Sequence, residues 1–289
     1  MYKTYALAES LKATGNNMLH VLVVDSKEEL SFDGCRFWYL DGLQLGNTGG
    51  DIVQKYRHNA DKLRWSLKPV FMQLLLAQDL CSKIVYLDND LFFYSDGQFL
   101  FDLLDKYSFL LTPHHYRNSP LSHQNWFEAN YRVGLYNAGF VGASVAGIKT
   151  LQWWADCCAY RCEKSAVRGL FDDQKYLDLV PILEETAYIM RHKGCNVAGW
   201  NTEVCKREMV NGEVLIDGTY PVVFIHFNDT TIREIANGND KALMPHYQKY
   251  VQSLKRYRPE LKEEELIKPQ RISDRLKYIV WKLVTDLGV

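Results

Sequence analysis

Asp88-Asn89-Asp90 follows directly on the apolar run Lys83-Ile84-Val85-Tyr86-Leu87 and leads into Leu91-Phe92-Phe93. A short apolar run of this kind reads as a buried strand, and residues two apart in an extended chain point the same way. Both carboxylates therefore leave the strand end on one side. Hard divalent cations take oxygen ligands, and Mg²⁺, at about 2.0–2.1 Å, keeps positions open for water and substrate phosphates. Two converging carboxylates suit that need, and a cation held there stabilises the charge of a departing diphosphate. Phosphatases whose first Asp is a nucleophile also place Asp-x-Asp after an apolar strand. They want the pair near the first strand, followed by Thr or Val, whereas Leu91-Phe92 follows here. Acidic turns after strands are common, so the pair alone does not decide.

The carboxylates need a scaffold, and the surrounding sequence supplies one. Residues 20–25 (HVLVVD) form a second apolar run ending in an acid, typical of a buried parallel strand. Residues 5–13 read as an amphipathic helix, and residues 63–80 have helical spacing with Pro69 placed in a first turn. A helix near 98–105, a strand near 108–112, a strand near 138–143 and a helix over 148–162 continue the alternation. That order predicts an α/β fold with a mainly parallel sheet covered by helices on both faces, and ligands at the carboxyl ends of the strands.

Composition narrows the partners. The 289 residues are 47% hydrophobic and 24% charged, enough for a sizeable core, and 34 Lys plus Arg balance 35 Asp plus Glu. No global field draws the chain to nucleic acid, so anion binding must be local. Seven cysteines without framework spacing indicate reduced thiols and a cytosolic setting. Cys157, Cys158 and Cys162 lack a matching pair for zinc. The N-terminus has no signal-peptide pattern, and no window approaches 18 uncharged apolar residues.

Residues 86–93 (YLDNDLFF) resemble the Asp-x-Asp segment of glycosyltransferases with the GT-A fold, in particular bacterial transferases whose metal segment reads Tyr-Leu-Asp-Pro-Asp. Further segments match in order: Leu67-Lys68-Pro69, Leu111-Thr112-Pro113-His114, Tyr136-Asn137-Ala138-Gly139-Phe140, Trp153-Trp154, and Asp173-Gln174-Lys175. Asn196-Val197-Ala198-Gly199-Trp200-Asn201 and Phe224-Ile225-His226-Phe227 complete the set, so the resemblance covers most of residues 2–228.

The resemblance implies a GT-A, Rossmann-like fold and a metal-dependent hexosyltransferase using Mn²⁺ or Mg²⁺. The donor would be a nucleotide-diphosphate sugar, expected to be a UDP-sugar, and the acceptor a carbohydrate or lipid-linked molecule of surface polysaccharide synthesis. As in glycogenin-like enzymes, His226 would join Asp88 and Asp90 as a metal ligand, and these glycogenin-like features weakly favour retention; read locally, His226 is a core histidine. Asp173 and Gln174 would face the transferred sugar; read locally, they cap a helix. Lys68 would meet a phosphate, and Asn137 and Gly139 would line the sugar pocket. Asn196 and Asn201 would bind sugar hydroxyls, and His114 would contact donor or acceptor, while Trp200 reads as core.

Two departures stand out. Family members begin with a strand before the helix matching Tyr5-Ala6-Leu7-Ala8-Glu9-Ser10-Leu11-Lys12, and this sequence starts at that helix, so the first strand is expected to be missing. That leaves a catalytically impaired sugar-nucleotide-binding protein as the alternative function. Gly199 also stands where the group has Tyr. The composition shift after Phe227 places a catalytic domain at 1–245 and a helical tail at 246–289. Residues 271–289 (RISDRLKYIVWKLVTDLGV) read as an amphipathic helix with basic residues, suited either to packing on the domain or to peripheral contact with the inner face of a membrane.

Overall fold

The computed structural model describes residues 1–15, 18–78, 80–121 and 123–267. Helix α1 (Tyr2–Thr14) opens it, and β1 (Leu19–Val23) then pairs in parallel with β2 (Cys35–Tyr39). Three helices follow: α2 (Gly46–Tyr56), α3 (Ala60–Ser66) and α4 (Lys68–Ala77). The single helix expected over 63–80 is two, because the Asn59 side chain caps α3 by accepting from the Lys62 amide at 3.0 Å, and Pro69 starts α4, where its missing N–H costs nothing.

The middle of the chain runs β3 (Lys83–Leu87), β4 (Leu91–Phe93), α5 (Gln98–Leu103), β5 (Phe109–Pro113), α6 (Gln124–Arg132), β6 (Tyr136–Ser144) and α7 (Ile148–Tyr160). A hairpin of β7 (Glu163–Ser165) and β8 (Leu170–Asp172), then α8 (Val180–Leu183) and β9 (Ala187–Ile189), lead to the last third. There β10 (Arg207–Val210), β11 (Glu213–Ile216) and β12 (Tyr220–Pro221) form an antiparallel sheet, followed by β13 (Phe224–His226), α9 (Asp229–Ala236) and α10 (Met244–Tyr257).

Four strands form the main sheet in the order β3-β6-β5-β9. Alternation puts Phe109, Leu111, Val141 and Ala143 into a core with α2, α4 and α7, while Leu110 and Phe140 turn to the opposite core with α1 and α5. Helices therefore cover both faces. The direction of the strands differs from expectation: β6 runs antiparallel to both β3 and β5, and only β5–β9 is parallel in this sheet. All nine residues of β6 are buried, and a continuous apolar run signals burial on both faces without signalling direction.

A third core joins α1, β4, β13, α9 and α10 through Ala6, Phe92, Ile225, Ile232, Tyr250 and Leu254. Helix α10 crosses position 245 and packs along α1; Glu9 of α1 accepts hydrogen bonds from Ser253 Oγ at 2.9 Å and Tyr257 Oη at 3.0 Å. Residues 268–289, with the expected amphipathic helix, lie outside the described residues.

Candidate functional site

Strand β3 carries Asp88 to the edge of the sheet, and the turn after it carries Asp90. The Asp88 amide donates to Gly139 O of β6 at 2.8 Å, which ties the turn to the sheet. Strand β13 lies antiparallel to β4 with His226 opposite Leu91, and Phe227 N donates to Asp90 O at 2.8 Å. This register sets the imidazole beside the acidic turn. One ligand atom from each of Asp88, Asp90 and His226 lies within 4.8 Å of the others. His226 Nε2 is 3.0 Å from Asp90 Oδ1.

Burial alone would raise the Asp90 carboxyl and lower the His226 imidazole. Their attraction outweighs burial, leaving Asp90 at about 2 and His226 above its ordinary value. Gly139 leaves room for the cluster: a Cβ there would stand 2.7 Å from His226 Cε1 and 2.8 Å from both Asp88 Oδ2 and Asn137 Oδ1. No other residue type fits without moving the ligands.

A buried ion pair adjoins the cluster. Lys68, at the start of α4, is only 5% exposed. Its Nζ lies 3.1 Å from Asp173 Oδ2 and 3.4 Å from Asp88 Oδ1, and donates to Ala138 O at 3.1 Å. Burial would strip the ammonium of its proton, but Asp173 and Asp88 outweigh it and hold the pKa well above the usual value. Burial pushes the Asp173 carboxyl up to about 6 against the pull of Lys68. The residue before it, Asp172, adopts φ +50°, a left-handed conformation that turns the chain out of β8 and aims Asp173 inward.

The remaining sequence-derived residues fall around these groups. Asn137 Nδ2 bridges Asn196 Oδ1 and His226 Nδ1, each at 3.1 Å, while its Oδ1 accepts from Gly139 N at 2.6 Å. Asn196, fully buried at φ +62°, also reaches Pro113 O at 3.4 Å. His114 is buried, and desolvation lowers it to about 3, so it is neutral; its Nδ1 donates to Gly134 O at 3.0 Å. Gln174 accepts from Ala138 N at 3.1 Å and donates to Val133 O at 3.3 Å, bracing β6 against the end of α6. Asn201 gives both amide hydrogens to His114 O and Asn196 O, at 3.3 and 2.9 Å, so its polar groups serve the loop itself.

Two contributors escaped the sequence reading. Tyr86 Oη donates to Asp88 Oδ1 at 2.7 Å, with the Lys68 ammonium 4.8 Å from its ring centroid. Its position two residues before Asp88, on the same strand face, was the available signal. Trp200 Nε1 donates to His114 O at 2.9 Å while its ring meets His226 edge-on at 5.3 Å, so this core residue also buttresses a candidate ligand.

The site as a whole offers two carboxylates and one imidazole to a divalent cation, with a third, buried carboxylate held alongside by a lysine. No protein-family model matches the chain. It is 32% identical over 222 residues to the uncharacterized protein YfnD of Bacillus subtilis (strain 168), covering 74% of this chain and 69% of that protein. The chain belongs to the YfnD family. A further relative of this YfnD-family chain is the uncharacterized protein YfnF of the same strain, 24% identical over 241 residues, which is 81% of the chain and 80% of YfnF.

Among solved structures, similarity extends to mouse xyloside xylosyltransferase 1 in its apo form, at 15% identity and a TM-score of 0.43, over 80% of this chain and 92% of that one. The glycosyltransferase GlyE of Streptococcus pneumoniae TIGR4 aligns with 93% of this chain and 62% of its own, at 13% identity and a TM-score of 0.43. A glycosyltransferase involved in glycosylating the major capsid of PBCV-1 aligns with 67% of this chain and 77% of its own, at 10% identity and a TM-score of 0.37. These overlaps are too loose to bear on chemistry.

Proposed function

We propose that the chain is a metal-dependent glycosyltransferase that moves a sugar from a nucleotide-diphosphate donor, expected to be a UDP-sugar, to a carbohydrate or lipid-linked acceptor. The observation that carries this reading is the convergence of Asp88, Asp90 and His226 around the space left by Gly139, with the Lys68–Asp173 pair beside it. Two carboxylates and an imidazole are donors that Mn²⁺ or Mg²⁺ accepts, and nothing about the cluster's packing opposes an ion. When bound, the cation would neutralise charge on the departing diphosphate.

The protein's own groups do the rest. Tyr86 and Lys68 fix the Asp88 carboxylate, so its orientation is set before substrate arrives. Asp173 presents a carboxylate in a water-poor setting, where its charge acts strongly on a neighbouring sugar carbon. Lys68 keeps that carboxylate in place and offsets its burial. Asn137 and Gly139 border the ligand cluster.

The matched segments of GT-A transferases support the same assignment. No described helix is long and apolar enough to cross a membrane; cytoplasmic work on a membrane-borne acceptor is part of the proposal. A panel of nucleotide sugars with and without Mn²⁺, read by donor hydrolysis and thermal shift, tests it. Metal-stimulated hydrolysis or transfer is expected. Release of phosphate from phosphomonoesters, with no response to any nucleotide sugar, would replace this reading with a phosphatase.

A further inference from the structure

A buried arginine touches none of Asp88, Asp90 and His226 yet holds the loop that leads to them. Arg207 starts β10, and its side chain is 4% exposed. Its Nε lies 3.0 Å from Asp240 Oδ2, and Asp240 itself is 3% exposed. Nη2 donates to Ala198 O at 2.7 Å and Asn201 Oδ1 at 3.1 Å, while Nη1 donates to Asn201 O at 3.3 Å and to Cys205 O. A guanidinium has five N–H groups in a fixed fork, and here each has an acceptor. Three of those acceptors, Ala198 O, Asn201 O and Asn201 Oδ1, belong to one loop, residues 196–201.

That loop leads to the metal cluster. Asn201, held by Arg207, donates to Asn196 O at 2.9 Å. Asn196 in turn accepts from Asn137, whose amide contacts His226 Nδ1. The main chain runs parallel to this route: His226 N donates to Val197 O at 2.9 Å. Gly199 N donates to Thr231 Oγ1 at 2.9 Å, and a Cβ on Gly199 would stand 2.8 Å from Thr231 Cα, so the loop is seated against the start of α9 with no slack.

We propose that Arg207 is a positioning residue for the metal centre: paired with Asp240, its guanidinium fixes the 196–201 loop and through Asn201, Asn196 and Asn137 holds the His226 ring. The inference rests on the metal-site reading of Asp88, Asp90 and His226. The charge on Arg207 is balanced locally by Asp240, so its contribution is the direction of its five donors, which a lysine cannot reproduce. Groups that orient a metal ligand from behind are worth about 10- to 100-fold in metal affinity.

The test is Mn²⁺ titration of the full chain followed by electron paramagnetic resonance of free Mn²⁺, with melting temperature measured alongside. Arg207→Met and Arg207→Lys are compared with Asp88→Asn and with Ile52→Ala, a cavity variant in the α2 core, which includes no residue of the 196–201 loop. Arg207→Met is expected to weaken Mn²⁺ binding severalfold, up to about tenfold, and Arg207→Lys, which keeps the charge and loses the fork, is expected not to restore it. Ile52→Ala should melt lower with Mn²⁺ affinity unchanged. If Arg207→Met does not fold, Arg207→Lys carries the comparison. Wild-type Mn²⁺ affinity in both Arg207 variants, while Asp88→Asn has lost it, overturns the positioning role and leaves the metal site standing. Equal affinity losses in Arg207→Met and Ile52→Ala also overturn it, since general destabilisation would then suffice. Unchanged affinity in Asp88→Asn overturns the metal site, and the role of Arg207 with it.

Discussion

The Lys68 ammonium lies 3.1 Å from Asp173 and 3.4 Å from Asp88, so one buried cation joins a candidate metal ligand to the carboxylate proposed to face the sugar. Neither acid can be altered without changing what the lysine sees. Removing one leaves Lys68 with a single partner, whereas removing Lys68 leaves the buried Asp173 carboxylate uncompensated and takes the cation from Asp88 as well. Lys68→Met is therefore the more damaging change, at about 3–5 kcal/mol of stability. Urea denaturation of Lys68→Met against Asp173→Asn checks the order.

Asp88→Asn and Asp90→Asn are expected to keep the fold and lose about tenfold or more of Mn²⁺-dependent donor binding, because each removes an anionic donor from a three-residue cluster. His226→Ala should show a similar loss that shrinks at saturating Mn²⁺. Thermal shift against Mn²⁺ concentration reads all three, and wild-type titrations from both Asp variants would refute the ligand assignment.

Gly139→Ala isolates the role of space. The added methyl would sit 2.7 Å from His226 Cε1 and 2.8 Å from Asp88 Oδ2, so the ligands must part. A stability loss of about 1–3 kcal/mol is expected from overpacking, together with weaker Mn²⁺ binding. Mn²⁺ binding as tight as wild type in a folded Gly139→Ala protein would show that the cluster tolerates rearrangement.

Asp173 sets a pH dependence. Its pKa in the fold, about 6, exceeds the ordinary 3.8, so ionising it costs more in the fold than in the unfolded chain. The stability tied to this group is full below the unfolded value and is lost as pH rises through 6. Turnover runs the other way: at saturating Mn²⁺ it should rise through about pH 6 as the carboxylate forms. Asp173→Asn should cut kcat far more than donor binding at pH 7.5 and lose that acidic limb. Equal losses in kcat and binding would place Asp173 on ground-state contacts instead.

How much of this was legible in the sequence depended on the range of each interaction. The turn bearing Asp88 and Asp90 could be read directly, since strand periodicity and a two-residue spacing are local properties. His226 stands 136 positions beyond Asp90, and only the resemblance joined them. The direction of β6 was illegible because residues buried on both faces carry the same apolar signal in either sense. Helix α2 was overlooked because Gly46, Gly49 and Gly50 mimic a loop, although Ile52 and Tyr56 anchor it to the core. Arg207 could not be found at all: its partners are mostly main-chain carbonyls, which have no sequence signature, and an acid 33 residues away.

The clasp between Glu9 and the end of α10 also bears on the birth of the chain. Glu9 and Tyr257 are 248 residues apart, and at ribosomal rates of about 5–20 residues per second the second partner trails the first by roughly 12 to 50 s. Helix α1, whose Ala6 is buried in the core shared with α10, is synthesised long before that neighbour. Nascent chains halted before residue 244 should thus leave the α10-facing side of α1 open to chaperones, and cover it once α10 has cleared the ribosome.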